Sequence, residues 1–180
     1  MAEIDRPLPL LGFAAWSGTG KTTLLERLIP LLRAEGLRIA LVKHAHHRFD
    51  IDQPGKDSYR LRAAGAGQVL VCSAQRSALV VEHPEPRDPV LAEQLRWLDP
   101  GRADLVLVEG FRHEAFPKIE LHRPELGKPL LHPEDPHIIA VATPGARGIH
   151  CELPLLDLDA PHTLRDFIMQ WLATHTRNTP

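Results

Sequence analysis

The stretch LLGFAAWSGTGKTTLL, Leu10 to Leu25, decides the fold of this chain. Leu10 to Ala14 is an apolar run too short for a helix, which predicts a strand buried on both faces. Trp16 to Gly20 is a loop of mostly small residues. From Lys21 the apolar period becomes helical: Leu24, Leu28, Leu31 and Glu35 mark one stripe, with Leu25 and Leu32 beside it. Gly18 and Gly20 free the backbone to turn its N–H groups inward around phosphate oxygens. A helix beginning near Lys21 adds the positive end of its dipole. On this reading Ser17, Gly18, Thr19, Gly20, Lys21, Thr22 and Thr23 line a nucleotide site. Lys21 neutralises the β- and γ-phosphates and serves catalysis, and the Thr22 hydroxyl ligates Mg2+. The pattern G-x-x-x-x-G-K-[ST] is met except at its first position, which Ala15 occupies.

Outward from this stretch the elements alternate. Gly36 suits the left-handed position past a helix end. Pro30 lacks an N–H and predicts a kink or loosened turn between Glu26 and Pro30. Arg38 to Val42 is the next apolar strand, so strand, helix and strand make a right-handed βαβ unit with a parallel sheet. Asp57 is expected to cap a short helix, Ser58 to Ala64, ended by Gly65 or Gly67. Val69–Cys72 and Ser77–Val81 are linked too tightly for a parallel crossover and predict an antiparallel pair. Asp88-Pro89 opens a helix running to about Leu98. Leu105 to Val108 and Ile138 to Ala142 read as central strands, with Ile119 to Leu121 and Leu155-Leu156 as shorter ones. Asp159 caps a last helix, Pro161 to His175, that buries Leu164, Ile168, Trp171 and Leu172. The expectation is one domain over residues 1–180, with flexible ends at 1–7 and 176–180. Its class is α/β: a P-loop, three-layer α/β/α fold with a mainly parallel sheet and an antiparallel strand pair.

Composition narrows the function. The formal charge of −2 and a pI near 6.6 exclude the strongly basic footprint of a nucleic-acid binder. No apolar run approaches the ~20 residues of a membrane helix. The acidic lead before the first strand is unlike a secretory signal. The only cysteines are Cys72 and Cys151, without a CxxC pair, which argues against a disulfide scaffold and a cysteine zinc site. These features together predict a cytoplasmic protein that engages neither nucleic acid nor membrane.

A second element supports the phosphate loop. The strand Leu105 to Val108 ends in Glu109-Gly110. An acid at the carboxyl end of a central strand can hold Mg2+ or its water shell, and Gly110 allows close approach to the γ-phosphate. After the second strand comes Lys43-His44-Ala45-His46-His47, in which His44 and His46 project to one side of an extended chain. That loop can bind Zn2+ or Ni2+, contact phosphate or a partner, or stay solvated. Lys56 and Arg60 can face an anion. Asp50, Asp52 and Asp57 can orient water or serve as caps, and Ser58 stands among them. Trp16 occupies the loop position where dimeric partitioning ATPases carry a second lysine, which argues against that subgroup.

The chain resembles the molybdopterin-guanine dinucleotide biosynthesis adapter protein (MobB) family. The resemblance lies in AAWSGTGKTTLL, then KHAHHRFDIDQPGKDSYRLRAAGA, then LVLVEGFRHE with KIEL, then IIAVA. It implies a homodimeric GTP-binding adapter with weak GTPase activity, working with the guanylyltransferase that joins GMP to molybdopterin. Molybdopterin or molybdopterin guanine dinucleotide then becomes a ligand, and GTP and Mg2+ the cofactors. It makes Glu109 the Walker B-like acid, grouped with Lys21 as catalytic and with Thr22 on Mg2+. It assigns the loop with His44, His46, His47, Asp52, Lys56, Asp57, Ser58 and Arg60 to a switch or cofactor surface. No N/T-K-x-D guanine motif is present, so GTP over ATP rests on the resemblance. Two rivals use the same loop. A nickel-delivering chaperone GTPase would need a Cys-Pro-His type site, which is missing. A small-molecule kinase would need a basic lid, and Arg112 to Lys128 has few clustered arginines.

Overall fold

The phosphate-loop stretch forms β1 (Leu10–Ala15), a loop, and α1 (Lys21–Ala34) in the computed structural model, which describes residues 8–45 and 49–175. The expectations for 1–7, 176–180, His46 and His47 lie outside the described residues. The other elements are β2 (Ile39–Lys43), α2 (Asp57–Ala63), β3 (Gln68–Cys72), β4 (Ser77–Val81), α3 (Leu91–Leu95), β5 (Leu105–Glu109), β6 (Lys118–Leu121), β7 (Ile138–Thr143), β8 (Leu155–Asp157) and α4 (Pro161–His175). The chain resolves into two compact units, Ala45–Val90 and the segments on either side of it.

The larger unit holds a six-stranded sheet in the order β2-β5-β1-β6-β7-β8, every pair parallel. β1 and β2 are not neighbours, because β5 lies between them. Its residues suit an interior position: Leu105 to Val108 are apolar throughout and fully buried. Alternation along β5 feeds two cores. Leu105 and Leu107 pack with Leu11, Phe13 and the leucines of α1, while Val106 and Val108 pack with Leu91, Phe111 and Phe116. α1 and α4 cover the first face and α3 the second, which gives the three layers.

Several local features differ from the expectation. In α1 the buried stripe is Leu24, Leu25, Leu28 and Leu32, whereas Leu31 is half-buried and Glu35 lies past the helix end. At ~100° per residue Leu24, Leu25, Leu28 and Leu32 share one arc, and Leu31 lies just outside its edge. The helix runs through Pro30, which is exposed, so the missing hydrogen bond falls on the solvent side. α3 begins at Leu91, whose N–H donates to the Glu114 carboxylate at 2.9 Å, and not at Asp88-Pro89. Beyond Leu95 the chain tightens into turns in which Arg96, Trp97 and Leu98 each donate three residues back. α4 matches its expected bounds and buried face, but the Asp159 carboxylate faces Arg123 at 3.4 Å rather than capping the helix.

The smaller unit holds α2 and the β3–β4 hairpin, an antiparallel pair as expected. Asp57 is the first residue of α2 and not its cap; Lys56 precedes the helix and makes no side-chain cap. Arg62 ties this unit together. It pairs with Asp50, Glu82 and Asp52, the last at 3.4 Å. The Glu82 hydrogen bond, with the charge of Asp50 behind it, raises the Arg62 pKa further.

Candidate phosphate site

The loop between β1 and α1 has the backbone its glycines predict. Gly18 and Gly20 take φ of 82° and 95°, a region that side chains with a Cβ rarely enter. Thr19 is buried and closes the loop from inside, its hydroxyl donating to the Trp16 carbonyl at 2.7 Å. Arg123 braces the outside by donating to the Thr19 carbonyl at 3.0 Å. Ser17, Thr22 and Thr23 are exposed. Thr19 is thus committed to loop structure, while the exposed Thr22 hydroxyl has no hydrogen-bond partner among the described residues.

Lys21 folds back over its own loop, its ammonium 3.4 Å from the Ala15 carbonyl. Burial lowers its pKa; the charge of Glu109 opposes that fall, and Lys43 and Arg112 add to it. Glu109 ends β5 opposite Phe13 of β1, and the sheet register therefore brings it to the same edge as the loop. It is buried, and its Oε2 lies 3.1 Å from the Lys43 ammonium. Glu109 thus lies within the field of two lysines, Lys21 and Lys43. The hard oxygens of Thr22 and Glu109 are the donor types that Mg2+ prefers.

The turn after Glu109 is tightly made. Gly110 has φ of 91°, and a Cβ there would stand 2.6 Å from the Cβ of His44. The His44 N–H donates to the Glu109 carbonyl at 2.8 Å, and its ring lies 4.9 Å from that of Phe111. His44 is therefore packed into the structure at the end of β2. The smaller unit contains the remaining loop residues. There Ser58 donates to Asp52 at 2.9 Å and Arg60 faces Asp57 at 3.8 Å, with Lys56 exposed. Asp52 and Ser58 serve the Arg62 network. Among the described residues no three His, Cys, Asp or Glu side chains converge as a metal cluster.

Sequence reasoning missed several residues. Lys43 carried a usable signal, since it ends a strand parallel to the one that ends in Glu109. Lys118 and Glu120 on β6 are both buried. Lys118 pairs with Asp135 at 3.1 Å and donates to the Glu114 carbonyl at 2.6 Å. The Glu120 carboxylate accepts from the N–H groups of Leu131 and His132 at 2.7 and 2.9 Å. Polar residues at alternate positions of a short strand read as a wet face; in the structure they anchor the loop that crosses it.

The family model described as molybdopterin guanine dinucleotide synthesis protein B matches residues 10–144. The chain is 48% identical over 166 residues to the molybdopterin-guanine dinucleotide biosynthesis adapter protein of Escherichia coli K12, covering 92% of this chain and 94% of that one. It is 44% identical over 171 residues to the protein of the same name from Haemophilus influenzae, covering 94% and 92%. Among solved structures it is similar to a molybdopterin-guanine biosynthesis protein B, with a TM-score of 0.68 at 26% identity over 90% of this chain and 99% of that one. Bacillus subtilis MobB gives a TM-score of 0.68 at 27% identity, covering 91% and 97%.

Proposed function

The chain belongs to the molybdopterin guanine dinucleotide synthesis protein B (MobB) family, and on that premise we propose that it is a GTP-binding adapter of molybdopterin guanine dinucleotide biosynthesis with slow GTPase activity. Its close relatives bear the name of adapter in that pathway. The observation that carries the nucleotide part is Lys21 at a helix start, after a loop with two left-handed glycines and within the field of Glu109. The N–H groups from Gly18 to Lys21 cradle the phosphates, and the α1 dipole adds positive potential. Lys21 leaves the Ala15 carbonyl for the β- and γ-phosphate oxygens. Thr22 and Glu109 hold Mg2+, which when bound supplies charge neutralisation at the terminal phosphates. Lys43 restrains the Glu109 carboxylate from the other side.

The partner in this reading is the molybdenum cofactor guanylyltransferase, and the cargo molybdopterin or its guanine dinucleotide. The working form is a cytoplasmic homodimer. Support for pairing comes from the β3–β4 hairpin, a two-stranded sheet with Leu70, Val71 and Leu79 exposed. Calorimetry with GTP and ATP in the presence of Mg2+ tests the nucleotide part. Tight GTP binding with slow phosphate release supports it, and absence of binding for both overturns it. Addition of the protein to a purified guanylyltransferase reaction tests the adapter part, with faster dinucleotide formation as the expected result.

A further inference from the structure

Arg112 and Lys128 stand far apart in sequence, yet both reach the ring of Trp16. The Arg112 guanidinium carbon lies 5.2 Å from the centre of the Trp16 ring, and the Lys128 ammonium 5.8 Å from it. The ring is held: its N–H donates to the Pro129 carbonyl at 2.9 Å. Pro129 is held in turn, because the buried Glu120 fixes Leu131 and His132 just beyond it. Arg112 leaves a turn in which Gly110 and Phe111 both have positive φ. Its Nε–H meets the His113 ring at 3.1 Å. Among the described residues neither Arg112 nor Lys128 has a carboxylate partner, and both are exposed. An indole face attracts cations but neutralises none of their charge. Two unneutralised cations beside a phosphate loop form a field that gathers anions.

We propose that Trp16, Arg112 and Lys128 form a second phosphate subsite, outboard of the one cradled by Gly18 and Gly20. A phosphate dianion matches two cations, and its oxygens suit the fork of a guanidinium. The inference rests on the nucleotide reading above in that the neighbouring loop holds the inner phosphates. The outer phosphate has two sources: the terminal phosphate of the nucleotide, met by Lys21 from the loop side and by this pair from outside, or the phosphate group of a separate small ligand. The Arg112→Gln/Lys128→Gln double variant tests the site, with melting temperature as a check on folding and Arg112→Lys as the charge-keeping control. Affinity for GDP and for a non-hydrolysable GTP analogue is measured by calorimetry, and inorganic phosphate is titrated onto the GDP-loaded protein. We expect the analogue-over-GDP preference to fall by about tenfold or more in the double variant, with GDP affinity kept and much of the preference retained by Arg112→Lys. If that preference is unchanged but phosphate binds the GDP-loaded wild type and not the double variant, the subsite stands with a separate ligand as its source. If neither measurement distinguishes the two proteins, the subsite is overturned. If wild type binds no nucleotide, the nucleotide reading has failed, and phosphate titration of the free proteins decides the subsite on the same criterion.

Discussion

The Lys43 ammonium stands 3.1 Å from Glu109 Oε2, so the carboxylate at the strand end beside the phosphate loop already has a counter-ion. The pair links the ends of two adjacent parallel strands, β2 and β5, with Lys43 opposite Glu109 in register. Any Mg2+ at Glu109 has to share it with Lys43. Two substitutions therefore act with opposite sign. Glu109→Gln keeps the shape and removes the charge, and should raise the Mg2+ needed for half-maximal hydrolysis by about tenfold or more. Lys43→Gln should lower it a few-fold, a small effect because the lysine is half exposed and screened. Metal titrations of the hydrolysis rate check both. A rate that stays lost in Glu109→Gln at saturating Mg2+, with unchanged affinities, would assign proton chemistry to Glu109 instead.

Lys21→Ala should weaken GTP binding about 10–150-fold, the range for losing one charge-assisted contact of roughly 1.5–3 kcal/mol. The fold should be kept, because among the described residues the Lys21 side chain makes only a long hydrogen bond, 3.4 Å, to the Ala15 carbonyl. Calorimetry for affinity and circular dichroism for folding read the two effects separately.

Gly110→Ala should destabilise the protein by about 1–3 kcal/mol or more. The new Cβ would meet the Cβ of His44 at 2.6 Å on a backbone with φ of 91°. His44→Gly in the same chain removes the contact but not the dihedral strain, so it should restore only part of the loss in urea melts.

Acid stability should depend on Asp104. Its carboxylate accepts from the Arg38 side chain and from the Arg38 backbone N–H, and these bonds, the side-chain one first, lower its pKa to about 2. A depressed folded-state value means that the unfolded chain binds the extra proton between the usual 3.8 and about 2. The contribution is full above the higher value and lost as pH falls through the lower one. Asp104→Asn should flatten that part of the pH profile of the urea midpoint while leaving the remaining acid response.

If the hairpin carries dimerisation, Leu70→Lys should break it. Leu70 and Leu79 are cross-strand partners and both exposed, so a charge on that face opposes burial. Sedimentation should change from dimer to monomer at micromolar protein, with unchanged nucleotide affinity. A monomeric wild type would overturn the dimer.

The sequence by itself determined the β1–loop–α1 unit, because a short apolar run, two glycines and a lysine at a helix start constrain the backbone through local geometry alone. It determined the central strands for the same kind of reason: Leu105 to Val108 has no polar side, and only a strand buried on both faces accommodates it. It also placed Glu109 at a strand end. Tertiary structure alone decided the neighbours of these residues. Which strand lies beside β1 is a matter of sheet order, and β5, rather than β2, supplies the adjacent acid and aligns Lys43 with it. Tertiary structure also set both Arg112 and Lys128 against Trp16, a placement that their sequence separation does not disclose. Local spacing makes Asp57 and Asp159 look like caps, whereas Asp57 lies inside α2 and Arg123, distant in sequence, engages Asp159. Local rules govern backbone conformation within a few residues; charge pairing acts through space and is set only once the strands have been ordered.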